Sequence, residues 1–117
     1  ESFPQADFDE AFDNVVEQLS AAWEQFLSDT REHYRGRLKR AQARWDDLKS
    51  RIDKHGPGKL KESDIDEQDR DLSRLKSTLD ASPDSIDYEA VDKALSHAES
   101  VNNINETLAR DAWGGIA

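Results

Sequence analysis

Residues 8–52 read FDEAFDNVVEQ, LSAAWEQFLSD, TREHYRGRLKR, AQARWDDLKSR, I when cut into elevens. The fifth column of that grid is Phe12, Trp23, Tyr34, Trp45, an aromatic side chain in every row. The first column is Phe8, Leu19, Thr30, Ala41, Ile52, and the eighth is Val15, Phe26, Arg37, Leu48. An eleven-residue repeat returns an apolar side chain about every 3.67 residues, close to the 3.6 of a straight α-helix. Such a stripe stays on one face without the left-handed winding that a seven-residue repeat imposes. The pattern predicts one continuous helix of about 48 residues, about 70 Å long. Gly36 is the weak point inside it, at about 1 kcal/mol relative to alanine, but the register runs on across it. A break between Thr30 and Gly36 is the alternative.

Outward from this stretch the chain is punctuated at few places. Ser2 or Asp7 can cap the first helix, with Gln5 or Glu10 three residues on. Lys54 and His55 suit its negative end, Gly56 can turn left-handed, and Pro57 forbids continuation. A second helix is expected over 62–80, capped by Ser63 with Asp64, Asp66 and Glu67 in its first turn. Its apolar seam is Ile65, Leu72, Leu75, Leu79. Ser82-Pro83-Asp84 interrupts the pattern, and Pro83 fits the first position of a third helix with Ser82 as cap. That helix, over 84–112, carries Ile86, Ala90, Val91, Ala94, Leu95, Ala98, Val101, Ile104, Leu108 and Ala112, and ends at Trp113-Gly114-Gly115.

These elements predict a single all-α domain over 1–117, with helices at about 7–54, 62–80 and 84–112. The second and third helices together match the length of the first. A kink at Ser82-Pro83 would therefore make a long antiparallel helical hairpin, with Phe12 against Ile104 and Trp113 near Phe3 and Phe8. A reversal there would instead make a three-helix bundle, or a four-helix one if the first helix is broken. The N-terminal half of the first helix would then expose Phe8, Phe12, Trp23 and Phe26 unless a second copy covered them.

Charge is segregated along the chain. Residues 1–30 hold eight acids and no base, 31–61 eleven bases and four acids, and 62–117 fourteen acids and five bases. The basic half of the first helix can thus set its register against an acidic neighbour. The net charge of −10 argues against generic nucleic-acid binding by the whole chain. Cysteine is absent, which removes disulfides and thiolate chemistry. A chain that starts at Glu1 and lacks methionine is expected to be a processed chain or a segment of something larger. Apolar runs of two or three residues leave no transmembrane segment, so a soluble chain is expected, cytoplasmic or exported, with the compartment open.

Patterns that carry chemistry are weak. Asp29 and His33 share a helix face, but no second such pair supplies a metal site. The run Asp64 to Asp69 fails as a calcium loop, since Asp69 stands where glycine is required and Leu75 where the bidentate glutamate belongs. Tyr88-x-x-x-Asp92 and Trp113-x-Gly115 separately resemble motifs of the small helical WXG-type secreted proteins. Their order is reversed, because Trp-x-Gly belongs in the turn between helices, so no membership follows. No nucleophile-and-base pair, Gly-rich phosphate loop or carboxylate dyad stands out, and no cofactor is expected.

The resulting expectation is a non-catalytic helical interaction or scaffold module. Its partner is a protein, a second copy included, docked through Phe8, Phe12, Trp23, Phe26 and Trp113. The other reading is a helical arm that binds nucleic acid or an anionic membrane through Arg31, Arg35, Arg37, Lys39, Arg40 and Arg44.

Overall fold

The computed structural model of the chain describes the backbone of residues 5–113 and the side chains of residues 9–113. Helix α1 spans Gln5–His55 without a break, α2 spans Glu62–Leu79, a single 3₁₀ turn occupies Pro83–Ser85, and α3 spans Tyr88–Arg110. Gly36 lies inside α1 without a positive φ, and a β-carbon there would meet only Arg40 Nη1, at 3.7 Å. Gly36→Ala is therefore expected to stabilise the protein by about 1 kcal/mol, read as a rise in the midpoint of urea unfolding.

The turn after α1 is built on two glycines. Gly56, at φ 101°, donates its N–H to Ile52 O at 2.7 Å and closes the helix. Gly58, at φ 58°, has no room for a side chain, because a β-carbon would fall 2.5 Å from Leu108 O. Lys59 N donates to that same oxygen, and Trp113 Nε1 donates to Gly56 O. The α1–α2 turn is thus tied to the C-terminal end of α3.

α2 begins one residue ahead of its expected cap. Lys61 is extended and donates its N–H to the Asp64 carboxylate at 3.2 Å, so the cap position falls at Lys61, two residues ahead of Ser63. The second break also differs from expectation. Ser82 and Ile86 are both extended, on either side of the 3₁₀ turn that Pro83 starts. Asp87 then caps α3, accepting from Ala90 N at 3.1 Å. The third helix starts at Tyr88 rather than near Asp84.

Two extended residues around one tight turn reverse the chain. α2 runs antiparallel to α1, with Asp80 beside Arg35 and Asp69 beside Lys49. α3 returns parallel to α1, with Tyr88 beside Leu27, Asn102 beside Ala41 and Glu106 beside Arg44. Of the two arrangements open to the sequence, the chain takes the three-helix one. The kinked hairpin is not formed: Ile104 is exposed, and Trp113 packs at Gly56, far from the start of α1. The physical reason is core depth. A two-helix rod covers each helix from one side only, whereas three helices enclose Trp45, Leu72, Leu79 and Leu95 at 1 % exposure or less.

The core runs from Leu38 to Ile52 on α1, with Leu72, Leu75, Leu79, Val91, Leu95, Ala98 and Ala109 from the other helices. A polar layer crosses it. Gln68 Nε2 donates to Ala98 O and to Asn102 Oδ1, both at 3.0 Å, and Asn102 Nδ2 donates to Ala41 O at 3.1 Å. One residue from each helix is thereby fixed in height relative to the other two. The molecule measures 85 × 23 × 17 Å, because α1 continues well past the end of the bundle.

Candidate partner-docking surface

The bundle grips α1 only from Leu27 onward. No residue from Asp9 to Phe26 is buried. These residues form an arm, and Gln5 to Phe26 extends for about 33 Å at 1.5 Å per residue. Along one side of it Phe12 (60 % exposed), Val16, Leu19 (65 %), Trp23 (59 %) and Phe26 (56 %) lie open, with Val15 beside them. Trp23 and Phe26 stack with ring centroids 5.4 Å apart. Scattered apolar residues on a surface mean little, but a contiguous row of three aromatics and three aliphatics on one helix does not arise from a shortage of polar residues. The arm is rich in those: Asp9, Glu10, Asp13, Glu17 and Glu24, with no base before Arg31.

The base of the arm is held by a small polar cluster. The Tyr88 hydroxyl lies 2.9 Å from Pro83 O and 3.1 Å from Leu27 O, and its ring stacks on Tyr34. Burial pushes the Tyr88 hydroxyl pKa up, against the lowering effect of Arg31 and Arg35. Arg31 Nη1 donates to Ala81 O at 3.2 Å, while its buried Nε has no hydrogen-bond partner.

The basic run is largely spent within the bundle. Arg37 bridges to Asp92 and Glu99 at 2.7 Å each and also donates to Ser96. The hydrogen bonds it donates to Glu99 and then Asp92 raise its pKa well above the usual arginine value, against the opposing effect of burial. Arg35 pairs with Glu32 and Asp80, and Arg44 with Glu106. Lys39 and Arg40 are exposed and make no ion pair with a described residue. The expected pairing of this half of α1 with the acidic second helix is present at Arg35–Asp80 and Lys49–Asp69, but Arg37 and Arg44 turn to α3 instead.

Two carboxylates in these pairs link folding to pH. Burial alone would push Asp69 up, but the hydrogen bonds from Lys49 (2.8 Å) and Trp45 Nε1 (2.7 Å) outweigh it and hold the carboxyl below its ordinary range. Glu106 is likewise lowered, chiefly by the hydrogen bond from Arg44 and further by Arg110, against burial. Each binds its proton more readily in the unfolded chain. Their contribution is complete above the ordinary carboxylate range and is lost as pH falls through the lower folded values. The melting temperature is expected to be flat between about pH 5 and pH 7 and to fall below about pH 4. Asp69→Asn should flatten part of that fall. An unchanged acid limb in the variant would remove Asp69 from the account.

Of the residues expected to meet a partner, Phe12, Trp23 and Phe26 share one exposed face, and Phe8 lies outside the described side chains. Trp113 must be taken out of the set: at 4 % exposure it is packed against the turn, its ring 6.5 Å from that of His55. The kinked hairpin would have covered Phe12, against Ile104, in the same column as Tyr34 and Trp45. Only the lower two rows of that column are covered, because α2 and α3 reach no higher than Leu27. Asp29 accepts from Gln25, and His33 packs edge-on to Tyr34. Among the described residues no group of three or more His, Cys, Asp or Glu could hold a metal ion, and no helix is long and apolar enough to cross a membrane. A groove between α2 and α3 is lined by Leu75, Val91 and Ala94 and flanked by Asp71, Arg74 and His97.

Gln68, Asn102 and Asn105 are buried polar residues that the sequence reading passed over. A signal was present. Val91, Leu95, Ala98, Asn102, Asn105 and Ala109 follow one another at four- and three-residue steps, the spacing of a coiled-coil seam. The apolar residues expected to line this helix include Val101, Ile104 and Leu108 instead. Of these Ile104 is exposed and the other two only half-buried.

Compared with family models, with curated proteins and with solved structures, the chain matches none.

Proposed function

We propose that this protein is a non-catalytic helical interaction module, in which the three-helix bundle is the anchor and the projecting arm of α1 is the docking surface. One observation carries the reading: the row Phe12, Val16, Leu19, Trp23, Phe26 lies open on a helix that the rest of the chain leaves uncovered. A helix presenting anchors at such steps is the usual ligand or receptor of another amphipathic helix. The five acids from Asp9 to Phe26 favour a partner helix whose flanks are neutral or basic.

Binding of nucleic acid or an anionic membrane through residues 31–61 has less behind it. Four of its six named residues, Arg31, Arg35, Arg37 and Arg44, are already paired within the chain. Calorimetry with a synthetic amphipathic helix, apolar on one face and lysine-flanked, separates the two. The parent should bind it and the Leu19→Asp/Trp23→Asp double variant should not, with the bundle's melting unchanged. Equal heats from parent and variant would overturn the docking reading. Binding of duplex DNA or acidic vesicles that vanishes with added salt and with Arg40→Glu would put the other reading first.

A further inference from the structure

We infer that the occupant of the arm is the arm of a second copy of this chain, laid antiparallel, with the two bundles at opposite ends of the shared seam. This rests on the docking reading above and names its partner.

Three observations point to a second copy in that orientation. The first is spacing. Phe12, Val16, Leu19, Trp23 and Phe26 follow at steps of four, three, four and three, so the arm carries two-stranded seam spacing even though α1 as a whole follows the eleven-residue repeat. The positions flanking this seam are Asp13, Val15, Ser20, Ala22 and Leu27; Asp13 alone is charged and in the antiparallel overlap it falls beside Ser20 of the second copy, while Glu17 and Glu24 stand further out. An equally acidic helix can approach there without facing a like charge across the seam.

The second is steric. The exposed row lies on the same side of α1 as Leu38, Ala41, Trp45 and Leu48, which α2 and α3 cover. A parallel twin would have to place its own α1 over that covered face. An antiparallel twin overlaps the arm alone. Overlap of two arms along their full length puts Phe12 opposite Trp23 of the second copy and Val16 opposite its Leu19, the layers an antiparallel seam requires. It also carries the acidic tip, with Asp9 and Glu10, toward the Arg31 end of the other copy.

The third is area. Aromatic side chains bury about 150–250 Å² each when covered, and each copy offers three, all more than half exposed, beside three aliphatics. That is on the order of 600 Å² per copy, near the roughly 800 Å² per partner of a standard stable interface. The same surface serves both copies, as a closed two-fold dimer demands.

The chain has no cysteine, so introduced ones report without background. In the antiparallel overlap position 13 of one copy flanks position 20 of the other. The Asp13→Cys/Ser20→Cys variant should oxidise to a covalent dimer. Seven residues apart on one helix, the two α-carbons are separated by about 10 Å, beyond disulfide reach within a single chain. Light scattering on the parent should give twice 13.3 kDa, and Leu19→Asp/Trp23→Asp should return it to 13.3 kDa with the bundle still melting cooperatively. A parent that stays at 13.3 kDa at every concentration but binds the lysine-flanked helix overturns the second copy and leaves the docking surface standing. A monomer that ignores that helix overturns both. A dimer that survives the double variant, or that fails to cross-link between positions 13 and 20, overturns the antiparallel arm seam.

Discussion

Trp45→Ala is expected to cost about 3–5 kcal/mol of folding stability, enough to leave a domain with so narrow a core largely unfolded at 37 °C. Trp45 is completely buried where all three helices meet, and its Nε1 donates to Asp69 at 2.7 Å. Lys49 binds the same carboxylate from one turn along and lies 5.8 Å from the indole centroid. Alanine therefore removes the largest fully buried side chain among the described residues and takes one donor from a carboxylate that burial already disfavours. Trp45→Phe separates the two effects, since it keeps most of the volume and loses only the donor. Its cost should be nearer 1–2 kcal/mol, on the order of one hydrogen bond to a charged group. Trp23→Ala supplies the contrast within the same aromatic column. It should leave the bundle's own denaturant midpoint unmoved while weakening whatever covers the arm. If Trp45→Ala melts like the parent, the assignment of the core is wrong.

The second large effect is expected at the polar layer. Asn102 is 1 % exposed, accepts from Gln68 Nε2 and donates to Ala41 O. Asn102→Asp replaces that donor by a buried anion facing a carbonyl oxygen, and an uncompensated charge of this kind costs about 3–5 kcal/mol. The penalty has a pH signature. Burial raises the folded pKa of such an aspartate, so the folded state takes up a proton at a pH where the unfolded chain stays ionised. Stability then recovers as pH is lowered through that raised value, opposite in sign to the acid limb expected of the parent through Asp69 and Glu106. Melting curves at pH 5 and pH 8 on the variant are the check. Equal midpoints would mean that the layer is hydrated and the charge is not buried. Replacing Gln68 and Asn102 together by leucine should cost little or stabilise, because both buried polar partners disappear at once. Its price is freedom of register between the helices, visible as broadened amide signals.

Much of the fold is local and could be read residue by residue. The eleven-residue recurrence from Phe8 to Ile52 makes α1 helical whatever packs on it, and Gly36 interrupts only propensity, which the neighbouring turns outweigh. Gly56-Pro57-Gly58 ends α1 because a positive φ and a missing N–H act at those residues alone. Helix number, helix order, the continuity of α1 and the acid–base division of the chain therefore follow from the sequence. So does the presence of an apolar stripe longer than the helices that could cover it if the chain reversed.

The direction of α3 was decided elsewhere. Ser82-Pro83 permits both a kink and a reversal, since proline removes one donor and fixes one φ in either case. What selects the reversal is contact between residues some 60 positions apart: Tyr88 on Leu27, Asn102 on Ala41, Trp113 on Gly56. None of these has a signature in its own neighbourhood, because each depends on which surface arrives opposite. The same holds for Asn102 and Gln68, which are core residues only because each finds the other and a backbone carbonyl there. The exposure of Phe12, Leu19, Trp23 and Phe26 follows from that choice as well. Sequence alone made the face of α1 apolar, and tertiary structure, by closing the bundle at Leu27, left its upper half without a partner inside the chain.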